Sequence, residues 1–229
     1  MIEQILPATV EAYDTFEDPP GTMLFPEEEL LIKRAVEKRR REFTTARLCA
    51  RKAMERLGMA PVPVLSGLRG EPLWPLGVIG SITHCAGYRA AALAQAVGTI
   101  GIDGEPNEPL AEGVVEAVSL PQEREMLRRL AAEHPAVCWD RLLFSAKETV
   151  YKAWFPLAER WLDFQDARIS VDPVRRTFSA HLLVLGPRWQ GRRLGGFNGR
   201  WMTGNGLILT AIAVMAPEAA AVHNRAHNP

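Results

Sequence analysis

Asp103-Gly104-Glu105 closes a β-like run, Thr99-Ile100-Gly101-Ile102. Side chains alternate along a strand, so the two carboxylates leave it on the same side. Two carboxylates at a strand end suit a hard cation such as Mg²⁺, which takes oxygen ligands and shares them with substrate phosphates. Farther along, Ser145-Ala146-Lys147-Glu148-Thr149-Val150-Tyr151-Lys152 has a helical pattern in which Glu148 and Lys152 share a face. Glu148 could supply a third metal oxygen, and Lys147 and Lys152 could meet phosphate. Upstream, Gly80-Ser81-Ile82-Thr83-His84-Cys85 sets a histidine at the end of another strand. Each feature alone also has a plainer reading: a solvated acid pair, a helix ion pair contributing a few tenths of a kcal/mol, a packed histidine. His84 and Cys85 are neighbours on an extended strand and point apart, which argues against a Cys–His nucleophilic pair.

The elements that must position these residues can be read from periodicity. Pro26-Glu27-Glu28-Glu29 opens a helix, with proline and acids in the first turn. Phe43, Ala46, Ala50, Ala53, Met54 and Leu57 form the core stripe of a second helix, ended by Gly58, with Arg47 and Arg51 beside the stripe. Residues 60–77 read as a Pro- and Gly-rich loop with a turn at Leu68-Arg69-Gly70-Glu71-Pro72. Val78–Thr83, Arg89–Ala96 and Thr99–Asp103 follow as a small strand meander. Helices are expected over Pro121–Ala132 and Trp139–Phe155, the latter stopped by Pro156. Strands are expected at Ala167–Val171, Thr177–Val184 and Leu207–Val214, with a Gly/Arg-rich connection before the last. Both halves read helix first and strands after. We therefore expect an α+β fold of two similar lobes, residues 1–106 and 107–215, with the boundary in the acidic loop at Pro106 and Pro109 and a frayed tail at 216–229. No repeat is evident at the level of residues.

With 229 residues, 47% hydrophobic and 24% charged, the chain can bury a core and is neither disordered nor fibrous in composition. Lys plus Arg and Asp plus Glu both number 27, so no overall charge draws it to nucleic acid or an anionic membrane. The charges are nevertheless segregated. Residues 1–29 hold eight acids and no Lys or Arg, residues 33–56 ten bases against three acids, and residues 103–125 seven acids against one Arg. Such blocks suit a polyanion gripped by cations on one side and by a metal on carboxylates on the other, and equally suit solvated helix faces. Three widely spaced cysteines fit neither a disulfide framework nor a zinc motif and read as reduced cytosolic thiols. No basic-then-apolar leader and no run of 18 apolar residues occurs, so neither secretion nor membrane spanning is expected.

Taken together and in order, Ser81-x-Thr83-His84, Ile100-Gly101-Ile102-Asp103-x-Glu105 and Phe144-Ser145-x-Lys147-Glu148-x-x-x-Lys152 resemble the two-lobed, monomeric 4′-phosphopantetheinyl transferases that serve peptide, polyketide and fatty-acid synthases. The resemblance runs from Lys38 to Leu157. Ile5-Leu6-Pro7 and Phe25-Pro26-Glu27-Glu28 are similar to one bacterial branch, and beyond Asp166 the strand pattern is its main support. The resemblance implies Mg²⁺-dependent transfer of phosphopantetheine from coenzyme A to a serine of an apo acyl or peptidyl carrier protein, releasing adenosine 3′,5′-bisphosphate. It also implies two pseudo-symmetric lobes, each a small, mainly antiparallel sheet with packed helices, and a cytoplasmic monomer whose basic surface can meet an acidic carrier. Asp103, Glu105 and Glu148 would be the metal carboxylates. Lys147 and Lys152 would contact phosphate oxygens, and Arg39, Arg47, Arg69 and His84 would bind the nucleotide end. Asp103, Glu148 and Lys152 would carry the chemistry, with Glu148 the candidate base. Relatives more often have a side chain with a Cβ at position 104, and a glycine there raises the expectation of a looser strand end and weaker metal binding. The competing readings are a Mg²⁺ hydrolase of nucleotides or diphosphates, built on the same carboxylates, and a non-catalytic module that binds carriers or nucleotides.

Overall fold

In the computed structural model, which describes residues 1–215, the chain passes twice from helix to sheet. The expected tail at 216–229 lies outside the described residues. The first pass comprises β1 (Glu11–Thr15), α1 (Pro26–Leu31), α2 (Glu37–Arg56), the short β2 (Leu65–Ser66) and β3 (Pro72–Leu73), then β4 (Ile79–Cys85), β5 (Tyr88–Ala94) and β6 (Val97–Pro106). The second comprises α3 (Val114–Val118), α4 (Pro121–Glu133), α5 (Trp139–Ala158), β7 (Ala167–Asp172), β8 (Thr177–Leu182), the short β9 (Arg188–Trp189) and β10 (Arg192–Arg193), then β11 (Gly196–Gly204) and β12 (Leu207–Met215). Antiparallel pairing gives a three-stranded sheet in the order β1-β5-β4 and a five-stranded sheet in the order β6-β12-β11-β8-β7, an α+β architecture.

Each sheet is covered by one long helix. Helix α2 lays Cys49, Ala50, Ala53 and Met54 against Ala91 and Leu93 of β5. Helix α5 lays Leu142, Leu143, Ala146, Val150 and Ala153 against Phe178, Ile208 and Ile212. Both helices have 20 residues. Strand β6 lies tight against α5 because position 101 is glycine: a Cβ there would sit 2.3 Å from the Thr149 carbonyl.

Four sequence expectations change. Strand β6 is not the third strand of a meander, since its ladder runs to β12 with Asp103 opposite Thr210, while β4 and β5 form a hairpin. The acidic lead-in contains β1, which pairs with β5 although Ala12 is its one buried side chain, too weak a pattern to read. The Gly/Arg-rich connection contains β11, where Phe197, Gly199 and Trp201 alternate inward. Helix α5 continues past Pro156 to Ala158, because proline in a last turn forfeits only one hydrogen bond; Glu159, left-handed at φ 50°, ends it.

A repeat does exist at the level of residues. Phe25-Pro26-Glu27-Glu28 and Leu120-Pro121-Gln122-Glu123 each start a helix in which the buried glutamate accepts from the N-cap N–H, at 3.0 and 2.7 Å. Each also accepts from a backbone N–H of its lobe, Val64 at 2.9 Å and Ile169 at 2.6 Å. Each meets a cation of the long helix: Arg51 lies 3.0 Å from Glu28, and Lys147 lies 2.8 Å from Glu123. The same carboxylate clamp ties the helix before the long helix, the long helix itself and a backbone amide of the segment after it in both halves.

Candidate functional site

The site forms where β4 and β6 end side by side beneath α5. The two strands meet through hydroxyls: Ser81 Oγ accepts from Ile102 N–H and Thr83 Oγ1 from Gly104 N–H, both at 3.1 Å. Thr83 also donates to Asp103 Oδ1 at 3.1 Å. Lys152 reaches down from α5 to the same Oδ1 at 2.8 Å and to the Ile102 carbonyl at 3.0 Å. Asp103 Oδ2 is buried and has no hydrogen-bond partner among the described residues.

Two more carboxylates approach. Burial raises the pKa of Glu105 above the ordinary glutamate value, and the neighbouring Asp103 adds to the rise; Arg141 opposes it, with Nη1 3.0 Å from Glu105 Oε2. Burial also raises Glu148, against the pull of Lys152 and with a further push from Asp103. The three carboxylates therefore share one electrostatic neighbourhood, yet they are not drawn into a finished cage. Among the described residues no group of three or more His, Cys, Asp or Glu is close enough to hold a metal. The donor set still fits Mg²⁺, which is commonly held by one or two carboxylates with substrate phosphates and water completing the shell. An orphaned, buried carboxylate oxygen is the natural place for such an ion.

Beyond the carboxylates lies a cationic end. Arg39, exposed on α2, comes within 2.8 Å of His84 Nε2. A guanidinium can only donate, so Nε2 accepts and the ring proton sits on Nδ1, 4.0 Å from Glu42. Burial first and Arg39 next lower the pKa of His84, which favours the neutral ring. Arg69 stands exposed in the 67–70 turn, and its charge is felt by the Tyr151 hydroxyl on α5. Arg47 is buried, with Nε on the Val64 carbonyl at 2.8 Å and its guanidinium 4.1 Å above the Phe43 ring. Burial lowers its pKa to about 10. It is a partial strut, with only the terminal nitrogens left for a ligand.

Lys147 corrects the sequence expectation. It is 3% exposed and its ammonium donates to the Phe164 and Ala167 carbonyls at 2.6 and 3.0 Å while pairing with Glu123. All three protons are committed inside the lobe, so none remains for a phosphate. Arg141 was missed altogether: its partner lies on a distant strand, and nothing on its own helix marks it. The thiols of Cys49 and Cys85 are pushed up to about 12 by burial, which leaves both inert as nucleophiles at neutral pH. Gly104 turns its open side to Leu209 and Tyr88, where a Cβ would lie 3.1 Å from each, and away from the carboxylates.

Next to Glu148 a narrow slot of about 90 Å³ is lined by Tyr151, Trp161, Leu162 and Phe164. A larger groove of about 580 Å³ lies over the outer face of the five-stranded sheet, at Ser170, Ser179, Asn198 and Arg200, and includes none of the carboxylates.

Comparison with known proteins gives this arrangement a family. Residues 27–94 match the 4′-phosphopantetheinyl transferase N-terminal domain, and residues 99–199 match the 4′-phosphopantetheinyl transferase superfamily. The chain is 56% identical to the 4′-phosphopantetheinyl transferase Svp of Streptomyces mobaraensis, over 95% of this chain and 90% of that one. It is 48% identical to PptT of Mycobacterium tuberculosis, over 93% and 98%, and 51% identical to Npt of Nocardia iowensis, over 93% and 99%. Identity of this order along nearly the whole of each chain, joined to a site of acids facing a cationic end, shows that the chain belongs to the 4′-phosphopantetheinyl transferase superfamily and moves phosphopantetheine from coenzyme A to carrier proteins.

Proposed function

We propose that the reaction runs at the β6 end, with Mg²⁺ on Asp103, Glu105 and Glu148 and the coenzyme A pyrophosphate beside it. The buried, unpartnered Asp103 Oδ2 carries this reading. When bound, the ion would supply positive charge to the pyrophosphate as its bond breaks. Lys152 holds Asp103 in place and presents the remaining ammonium donor to the departing phosphate. Arg39 and His84 take the nucleotide phosphate, with Arg69 and the free end of Arg47 at its flank. The slot between Glu148 and Trp161 takes the pantetheine arm. Glu148 is the candidate base: it lies in the neighbourhood of Asp103 and Lys152, and it receives the proton of the attacking serine hydroxyl, directly or through water.

The two lobes act as one cytoplasmic monomer, neither nucleic acid nor membrane takes part, and an acidic carrier approaches the basic surface. Balanced net charge and reduced thiols support this, and no helix among the described residues is long and apolar enough to cross a membrane. The test is intact-protein mass spectrometry of an apo carrier incubated with this protein and coenzyme A, with and without Mg²⁺. A gain of one phosphopantetheine only with metal is expected; an equal gain in chelator would overturn the metal assignment.

A further inference from the structure

Along α5, residues 141, 145, 148 and 152 are spaced four, three and four apart; of these Arg141 and Lys152 reach β6, and Ser145 meets Thr210 of β12. The two cations reach two carboxylates: Lys152 to Asp103 Oδ1 at 2.8 Å and Arg141 to Glu105 Oε2 at 3.0 Å. In each pair one carboxylate oxygen is tethered, and among the described residues no hydrogen bond reaches the other, Oδ2 of Asp103 and Oε1 of Glu105. Arg141 is itself fixed. Its Nε donates to the Glu108 carbonyl and its Nη2 to the Pro109 carbonyl, both at 3.0 Å. Three contacts from one rigid, planar fork determine where Glu105 Oε2 must sit. No step of the reaction proposed above calls on this arginine.

We propose that Arg141 is a positioning residue for the transfer reaction: by holding Glu105 through one oxygen, it presents the other to the metal beside Asp103 Oδ2. This rests on the reading of Asp103 and Glu105 as metal ligands. Without the guanidinium, Glu105 would swing toward solvent, away from the Asp103 charge that repels it. Partners that orient ligating carboxylates typically change metal affinity by about 10- to 100-fold.

The experiment is a calorimetric titration of Mg²⁺ into protein saturated with coenzyme A, without carrier, for wild type, Arg141→Lys and Arg141→Ala. Coenzyme A affinity in chelator is measured alongside. Metal affinity is expected to fall about 10- to 100-fold in Arg141→Ala and to recover in part in Arg141→Lys, which keeps the charge but not the fork, while metal-free coenzyme A affinity stays at the wild-type value. Equal metal affinity in all three proteins would overturn the positioning role alone. Tighter metal binding in Arg141→Ala would overturn it too, by showing that the arginine competes with the ion. A wild type that binds no Mg²⁺ would remove both this role and the metal site. If Arg141→Ala does not fold, Arg141→Lys against wild type decides: an affinity loss supports the role, and unchanged affinity overturns it.

Discussion

Glu148 is kept half-buried beside another carboxylate, so its pKa lies above the value it has in an unfolded chain. A group raised on folding stabilises the fold while it is protonated, and that contribution is lost as pH climbs through the folded value. At neutral pH the ionised Glu148 thus weighs against the fold. Glu148→Gln is expected to reduce turnover at least a hundredfold, retain coenzyme A binding and raise the thermal midpoint at neutral pH, with the gain shrinking as pH is lowered through the glutamate range. A neutral-pH midpoint at or below wild type, in differential scanning calorimetry of the metal-free protein, would contradict that account. For the same reason Mg²⁺ affinity should begin to fall, on acidification, above the ordinary glutamate pKa, as Glu105 and Glu148 take up protons. The strand period of two and the helix spacing of four put Asp103 with Glu105, and Glu148 with Lys152, on shared faces, but only the resemblance to a family joined them into one site. Arg141 was not legible, because an ion pair between a helix and a strand has no sequence spacing.

At the scale of elements, the two carboxylate clamps explain why Lys147 turns its ammonium into the lobe. Glu123 is 1% exposed and Lys147 is its counter-charge, as Arg51 is for Glu28. Burial lowers the pKa of Lys147 and Glu123 opposes the fall. Lys147→Ala should therefore cost about 3–5 kcal/mol in chemical denaturation by stranding a buried acid, whereas Lys147→Met with Glu123→Gln should cost less. A loss of coenzyme A affinity at unchanged stability would return Lys147 to the phosphate. The spacing of residues 147, 148 and 152 identified a helix but not which face was buried, since α5 packs on the sheet and on the α4 side at once. The clamp motif itself was in plain view as two X-Pro-x-Glu starts, but only the shared partners of Glu28 and Glu123 give those four residues meaning. Gly104→Ala is a complementary test: its Cβ presses on Tyr88 and Leu209, so about 1–3 kcal/mol of stability should be lost with Mg²⁺ dependence unchanged, contrary to the sequence expectation for that glycine.

Across the whole molecule, the fold class and the order of the motifs could be read ahead of the structure, while strand pairing could not. Pairing β6 with β12 rather than with β5 is a long-range choice, made by the face that α5 must cover and by Gly101 beneath it. The two sheets consequently meet along β4 and β6 through hydroxyls of Ser81 and Thr83 instead of a backbone ladder. Ser81→Ala with Thr83→Val leaves the Ile102 and Gly104 amides buried and unpaired, at a cost of about 1–3 kcal/mol each. That seam also has a colloidal consequence. An uncovered strand margin is a template on which a foreign strand can add, and β6 would offer one at the middle of the protein if its inner amides were not already occupied by side chains. The doubly substituted protein should accordingly aggregate more readily on mild heating, as light scattering would record, so two small hydroxyls that hold the site together also guard the chain against its own kind.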